Sequence, residues 1–145
     1  MSENIRIIKG LEINEVLSGS DREYLVGNLS RPQNLQHIFD ADVEIGISDY
    51  EETNLDKPHF HPCLSEYQYI LKGEIVVFDL EHKKSYQLKE GDFYAVPKGN
   101  RRIQLSKANS RILFVKNKSM DDKQVVTVSD EVHAWIKKVW EEFDK

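Results

Sequence analysis

The chain has 145 residues, 39% hydrophobic and 31% charged, with a net charge of −5. That length sets an expectation of one domain over residues 1–145 with one substantial core, and the balance excludes a disordered chain. The acidic excess excludes nucleic acid as the main partner, since only the small group Lys98, Arg101 and Arg102 is locally basic.

No apolar run approaches the roughly 20 residues that span a bilayer, so no membrane partner is expected. The opening MSENIRIIKGLEINEV is charged and lacks the apolar centre of a secretory signal. A single cysteine, Cys63, leaves no intramolecular disulfide to form, which fits a reducing compartment and makes the cytoplasm the expected location.

In chain order, residues 3–17 carry short apolar pieces that predict one or two strands or, over 12–17, a helical turn. Residues 18–21 are a turn. Strands are predicted over 24–29 and 42–48, separated by a loop at 31–34, with a polar connection at 49–56. Strands over 67–71 and 74–80 flank Lys72-Gly73, which predicts a hairpin turn. A turn at 81–84 leads to strands over 85–88, 92–96, 103–105, 112–116 and 125–128. Many short strands with frequent turns indicate an all-β sandwich or barrel. The last segment differs. Val132, Trp135, Ile136, Val139, Trp140 and Phe143 recur at helical spacing, and Ser129 followed by Asp130 and Glu131 suits a helix start, so 129–145 is predicted as an amphipathic helix packed on the barrel or used as a dimer contact.

The chemistry concentrates in HFHPCLSEYQYILKG, His59 to Gly73. Side chains alternate along a strand, so His59 and His61 share a face, and a short turn through Pro62 to Ser65 brings Glu66 beside them. Two imidazoles and a carboxylate form a candidate site for iron, manganese, nickel or zinc with positions left open for substrate.

The spacing H-x-H-x4-E-x6-G resembles the first motif of the cupin superfamily. The later Gly91-Asp92-Phe93-Tyr94-Ala95-Val96-Pro97-Lys98-Gly99 resembles the start of the second, G-x5-P-x-G. The two segments lie within residues 57 to 106, about a third of the chain. The resemblance implies an antiparallel β-barrel (a jelly roll) with a ligand cavity at one end, His59, His61 and Glu66 as metal ligands, and a homodimer as the expected assembly. The second motif departs from the pattern: Arg102 stands where the family commonly places a fourth ligand, a histidine, and Ser106 stands at its asparagine position. A guanidinium has no lone pair to offer a metal and repels a cation.

Several alternatives stay open at this level. Glu66 can instead form a buried ion pair with Arg102. Arg102 can anchor an anionic group or lie in solvent at the rim. Gln104, Tyr67 and Tyr94 are candidate substrate contacts, with Tyr69 a further wall residue or a packing one. His37 is a candidate spare ligand or acid/base, whereas Cys63, His82 and His133 are expected to be inert or solvated. Fold alone does not settle function. The first expectation is an enzyme of isomerase, epimerase or metal-dependent oxygenase type. Its substrate would be a small anionic metabolite such as a sugar phosphate, nucleotide sugar or keto acid, with His59, His61 and Glu66 catalytic, and a transition metal present or absent. The alternative is a non-catalytic module that binds or senses a small ligand.

Overall fold

A computed structural model of the protein describes residues 3–143; the final two positions of the expected helix lie outside the described residues. The chain forms α1 (Gly10–Leu17), β1 (Arg22–Gly27), β2 (Ile38–Phe39), β3 (Glu44–Tyr50), β4 (Asn54–Leu55), β5 (His59–Phe60) and β6 (Glu66–Lys72). It continues with β7 (Glu74–Asp79), β8 (Lys84–Lys89), β9 (Phe93–Val96), β10 (Arg102–Ser106), β11 (Ser110–Lys116), β12 (Gln124–Val125) and α2 (Asp130–Phe143). One sheet runs β2-β1-β3-β11-β6-β9 and the other β12-β5-β10-β7-β8, with β4 added to β10. They form an open jelly roll, antiparallel throughout except for the parallel β1–β2 pair. Among the described residues no helix is long and apolar enough to cross a membrane.

Two expectations are corrected, and of the two readings offered for residues 12–17 the helical one holds. Residues 3–9 hold no strand, and Ile5 and Ile7 are exposed. The next stretch is a helix, because Ile13, Val16 and Leu17 recur at three- and four-residue intervals and face inward together. Lys72-Gly73 is not a hairpin turn: β6 pairs with β9 and β11, whereas β7 pairs with β8 and β10. The glycine carries the chain from one sheet to the other at φ 87°. A side chain there would also sit 2.3 Å from Ser110 Oγ and 2.7 Å from Ser110 Cα, so only glycine fits.

Strand alternation sorts the interior. Ile70, Ile75, Val77 and Ile112 pack between the sheets with Tyr50, Leu88 and Tyr94 against them, filling one end. On the same inward faces, nearer the other end, come Glu66, Gln68, Arg102, Gln104, Ser106 and Lys116, all buried. The opposite side of β10 is buried too: Ile103 and Leu105 join Val76, Phe78, Ile136 and Phe143 beneath α2. Ser129 Oγ accepts from Val132 N–H at 3.3 Å and starts that helix as expected. Trp135 meets Phe78 edge-on at 5.3 Å between centroids. Burying the Ile136 and Phe143 side chains stabilises the dock by roughly 1.5–3 kcal/mol each.

Candidate active site

The polar end of the interior encloses a cavity of about 130 Å³, lined by Arg22, Tyr24, Ser48, Tyr50, Asn54, Asp56, His59, His61, Glu66, Gln68, Arg102, Gln104, Ser106, Lys116, Met120, Asp121 and Lys123. Register assembles it. His59 on β5 is the cross-strand partner of Arg102 on β10. Across the other sheet Glu44, Lys116 and Glu66 stand in one row on β3, β11 and β6. Lys116 Nζ bonds Glu44 Oε1 at 3.2 Å and lies 3.9 Å from Glu66 Oε1. Of this acid–base–acid row, Lys116 and Glu66 line the cavity.

Glu66 reaches across to the opposite sheet. Its Oε2 accepts from Arg102 Nη2 at 2.5 Å and from Gln68 Nε2 at 2.7 Å. Burial raises the Glu66 carboxyl, but the charges of Arg102 and Lys116 outweigh that and hold it down at about 2. The carboxylate is therefore ionised and fully engaged. Because a carboxylate only accepts, the Gln68 amide must present its nitrogen to Glu66, which leaves Gln68 Oε1 buried without a partner among the described residues. Arg102 Nε is likewise buried and unpaired among the described residues.

The two histidines have fixed tautomers. His59 Nδ1 donates to Lys57 O at 2.7 Å, and His61 Nδ1 donates to Asp122 Oδ1 at 2.6 Å. Both acceptors demand a proton on Nδ1, so both rings keep a lone pair at Nε2. The rings sit edge to face with centroids 5.2 Å apart. Asp122 is itself held by the Cys63 N–H at 2.8 Å on its other oxygen. Burial, reinforced by the Arg102 charge, lowers His59 to about 4. Burial also lowers His61, against the opposing pull of Asp122. Both are neutral at pH 7. Asp56 accepts from Gln104 N–H at 2.7 Å, and burial raises its carboxyl to about 6 despite that bond and the Arg102 charge.

Several sequence-predicted residues thus meet: His59, His61, Glu66, Arg102 and Gln104. Others do not. Tyr67 lies on the outer side of β6, stacked on exposed Phe93 at 6.3 Å, because odd positions of this strand face away from the interior. Tyr69 is also outside. Tyr94 lies behind the cavity wall, where its hydroxyl donates to Gln104 Oε1. Burial raises its phenol well above 10, so it stays a donor. His37 sits in a surface groove away from the cavity, His82 pairs with Asp79 in an exposed turn, and Cys63 is exposed.

The carboxylate that orients a histidine is Asp122, not Glu66. Sequence reasoning also missed Arg22, Asp56, Lys116 and Lys123. Lys116 carried a legible signal, since it continues the inward parity of Ile112 and Phe114. Asp122 carried none.

A two-histidine, one-carboxylate metal centre does not fit this donor set. The imidazole lone pairs suit a metal, but Glu66 is spent on Arg102, Gln68 and Lys116, and two cations flank it. Among the described residues no group of three or more His, Cys, Asp and Glu is arranged to hold an ion.

Residues 48–104 match the cupin domain family Cupin_2. That span holds His59, His61, Glu66, Gln68 and Arg102, while Arg22, Lys116 and Asp122 lie outside it. No curated protein matches the chain in sequence. Among solved structures the chain is similar to KdgF from Halomonas sp., at 16% identity and TM-score 0.51 over 57% of this chain and 74% of that one. It is also similar to the Streptomyces nucleoside dehydratase Pac13, at 15% identity and TM-score 0.53 over 64% and 75% of the two chains. The polyketide cyclase RemF from Streptomyces resistomycificus aligns at 15% identity and TM-score 0.53 over 63% and 65%. These likenesses concern the fold: the chain has a cupin-type fold, and the motif residues of its 48–104 segment converge in one cavity.

Proposed function

We propose that this cupin is an enzyme that moves a proton next to a carbonyl of a small polar metabolite, as an isomerase or epimerase does. One observation carries it: the buried His61–Asp122 pair at 2.6 Å opens onto the same cavity as the Arg102 guanidinium. Asp122 fixes the His61 tautomer and stabilises the imidazolium that forms when Nε2 takes a proton from carbon. The electron pair of that C–H bond moves onto the carbonyl oxygen. Arg102 is placed to stabilise the resulting enolate, since a preorganised charge in a dry site acts strongly there. Return of the proton to another carbon, or to the other face, completes the change. Asp56, raised to about 6, is the cavity group suited to carry it.

Charge bounds the substrate. The cavity and its immediate partners hold Arg22, Arg102, Lys116 and Lys123 against Asp56, Glu66, Asp121, Glu44 and Asp122. With no surplus of positive charge, a singly charged carboxylate such as a keto acid suits the site better than a phosphate or nucleotide sugar. The cavity is also smaller than the roughly 300–1,000 Å³ of drug-sized pockets. The test is incubation with small oxo and hydroxy acids in D₂O, followed by proton NMR. Deuterium entering a C–H position with wild type and not with His61→Asn supports the reaction. Ligands that bind and never exchange would reassign the protein as a binding module.

A further inference from the structure

The interior offers more hydrogen-bond acceptors than the proposed proton transfer uses. Gln68 is 7% exposed and lines the cavity, yet its Oε1 has no partner among the described residues. His59, 4% exposed, contributes a second acceptor, since its proton is fixed on the Lys57 side and its Nε2 lone pair is left over. Facing them is Arg102, 3% exposed, with one terminal nitrogen committed to Glu66 and its Nε unpaired. Leaving a buried polar atom such as Gln68 Oε1 or Arg102 Nε without a partner is unfavourable, so a ligand that satisfies it gains correspondingly.

The complement of this inventory is a molecule with one anionic oxygen pair and separate O–H donors. We infer that the substrate of the proton-transfer reaction is a small hydroxy-carboxylate, its carboxylate on Arg102 and its hydroxyls donating to Gln68 Oε1 and His59 Nε2. The proton removed is the one on the carbon next to that carboxylate, whose oxygen on Arg102 takes the electron pair. That the ligand is a substrate rests on the proposed reaction at His61, whereas the binding preference stands independently of turnover. Deoxy acids leave the two acceptors unpaired. Phosphate esters bring a second negative charge against Glu66, whose Oε2 lies 2.5 Å from the same guanidinium. Amines satisfy the acceptors and leave Arg102 facing a like charge.

Two matched sets test it by titration calorimetry on the full chain: glycerate, propionate and glycerol phosphate, and gluconate, hexanoate and glucose phosphate. The expected result is that at least one hydroxy acid binds tenfold or more tightly than both of its partners. Gln68→Met keeps size and removes the acceptor together with the amide donor to Glu66. Because hydroxy and deoxy acids are compared within the same variant, the margin should still shrink at least fivefold, and an unchanged margin overturns the inference. Equal or tighter binding of the deoxy acid or the phosphate ester overturns the inference. Deuterium exchange by His61 on such a ligand would still uphold the proton-transfer reading. Selective binding of a hydroxy acid without exchange upholds the ligand class and overturns that reading. Binding of no member of either set overturns the ligand class, while the proton-transfer reading is decided by the deuterium exchange with oxo acids.

Discussion

Arg102 Nη2 lies 2.5 Å from Glu66 Oε2, and the two side chains come from opposite sheets and are both buried. The pair joins the halves of the jelly roll across the cavity, and it occupies the carboxylate that a metal would need. Removing one partner leaves an uncompensated buried charge. Arg102→Met is therefore expected to destabilise the fold by about 3–5 kcal/mol in urea denaturation, and Arg102→Met with Glu66→Met to recover most of it. A double variant no more stable than the single one would show that the pair is not what the site balances.

The same pairing predicts weak metal binding. Dialysis against zinc, nickel, manganese or ferrous iron should leave less than stoichiometric metal by elemental analysis. Glu66→Gln does not restore a ligand, whereas Arg102→His supplies the imidazole at the family's usual position and relieves the repulsion, so metal uptake should rise with it. One tightly bound ion per wild-type chain would defeat the idea.

Stability should fall with acid in two stages. His59 is held at about 4 against a usual 6.5, so the unfolded chain takes up its proton first. The stability this contributes is present above pH 6.5 and is lost as pH falls through 4, a change of about 3 kcal/mol at most. Glu66, held at about 2 against 4.5, adds a loss of the same sign between those values. Asp56 works the other way: raised to about 6 from 3.8, it favours the folded state as pH falls through that window and softens the first stage. Urea titrations from pH 8 to 3 should show a shallower first stage in His59→Asn and a steeper one in Asp56→Asn. Identical profiles for all three proteins would count against these assignments.

Asp122→Asn keeps size and can still contact Cys63 N–H, but it no longer favours the Nδ1 proton of His61. Exchange of substrate protons should drop on the order of 100-fold or more, with ligand binding changed little. A purely structural role would instead lower binding and stability together.

Gly73→Ala places a methyl group 2.3 Å from Ser110 Oγ at a backbone angle that side chains avoid. About 1–3 kcal/mol of stability should be lost, read as a shift of the urea midpoint. Gly91 has the same sign of φ but open space around it, so Gly91→Ala should cost less.

Local order in the chain determined a good deal. Alternation along β6 and β10 put Glu66 with Gln68 and Arg102 with Gln104, and the replacement of a ligand histidine by Arg102 is legible without coordinates. The three- and four-residue recurrence from Val132 to Phe143 likewise specified α2. Those signals survive because period and parity are properties of neighbours. Which strands pair is not. Lys72-Gly73 has the local character of a tight turn, yet the chain changes sheets there, since the choice depends on β9 and β11 competing for β6. Lys116 opposite Glu66, and Asp122 beneath His61 from 61 positions away, arise only from register and loop closure. The tertiary structure therefore decided the chemistry: it gave Glu66 to a guanidinium, gave a different carboxylate to the histidine, and left Gln68 Oε1 buried without a partner among the described residues.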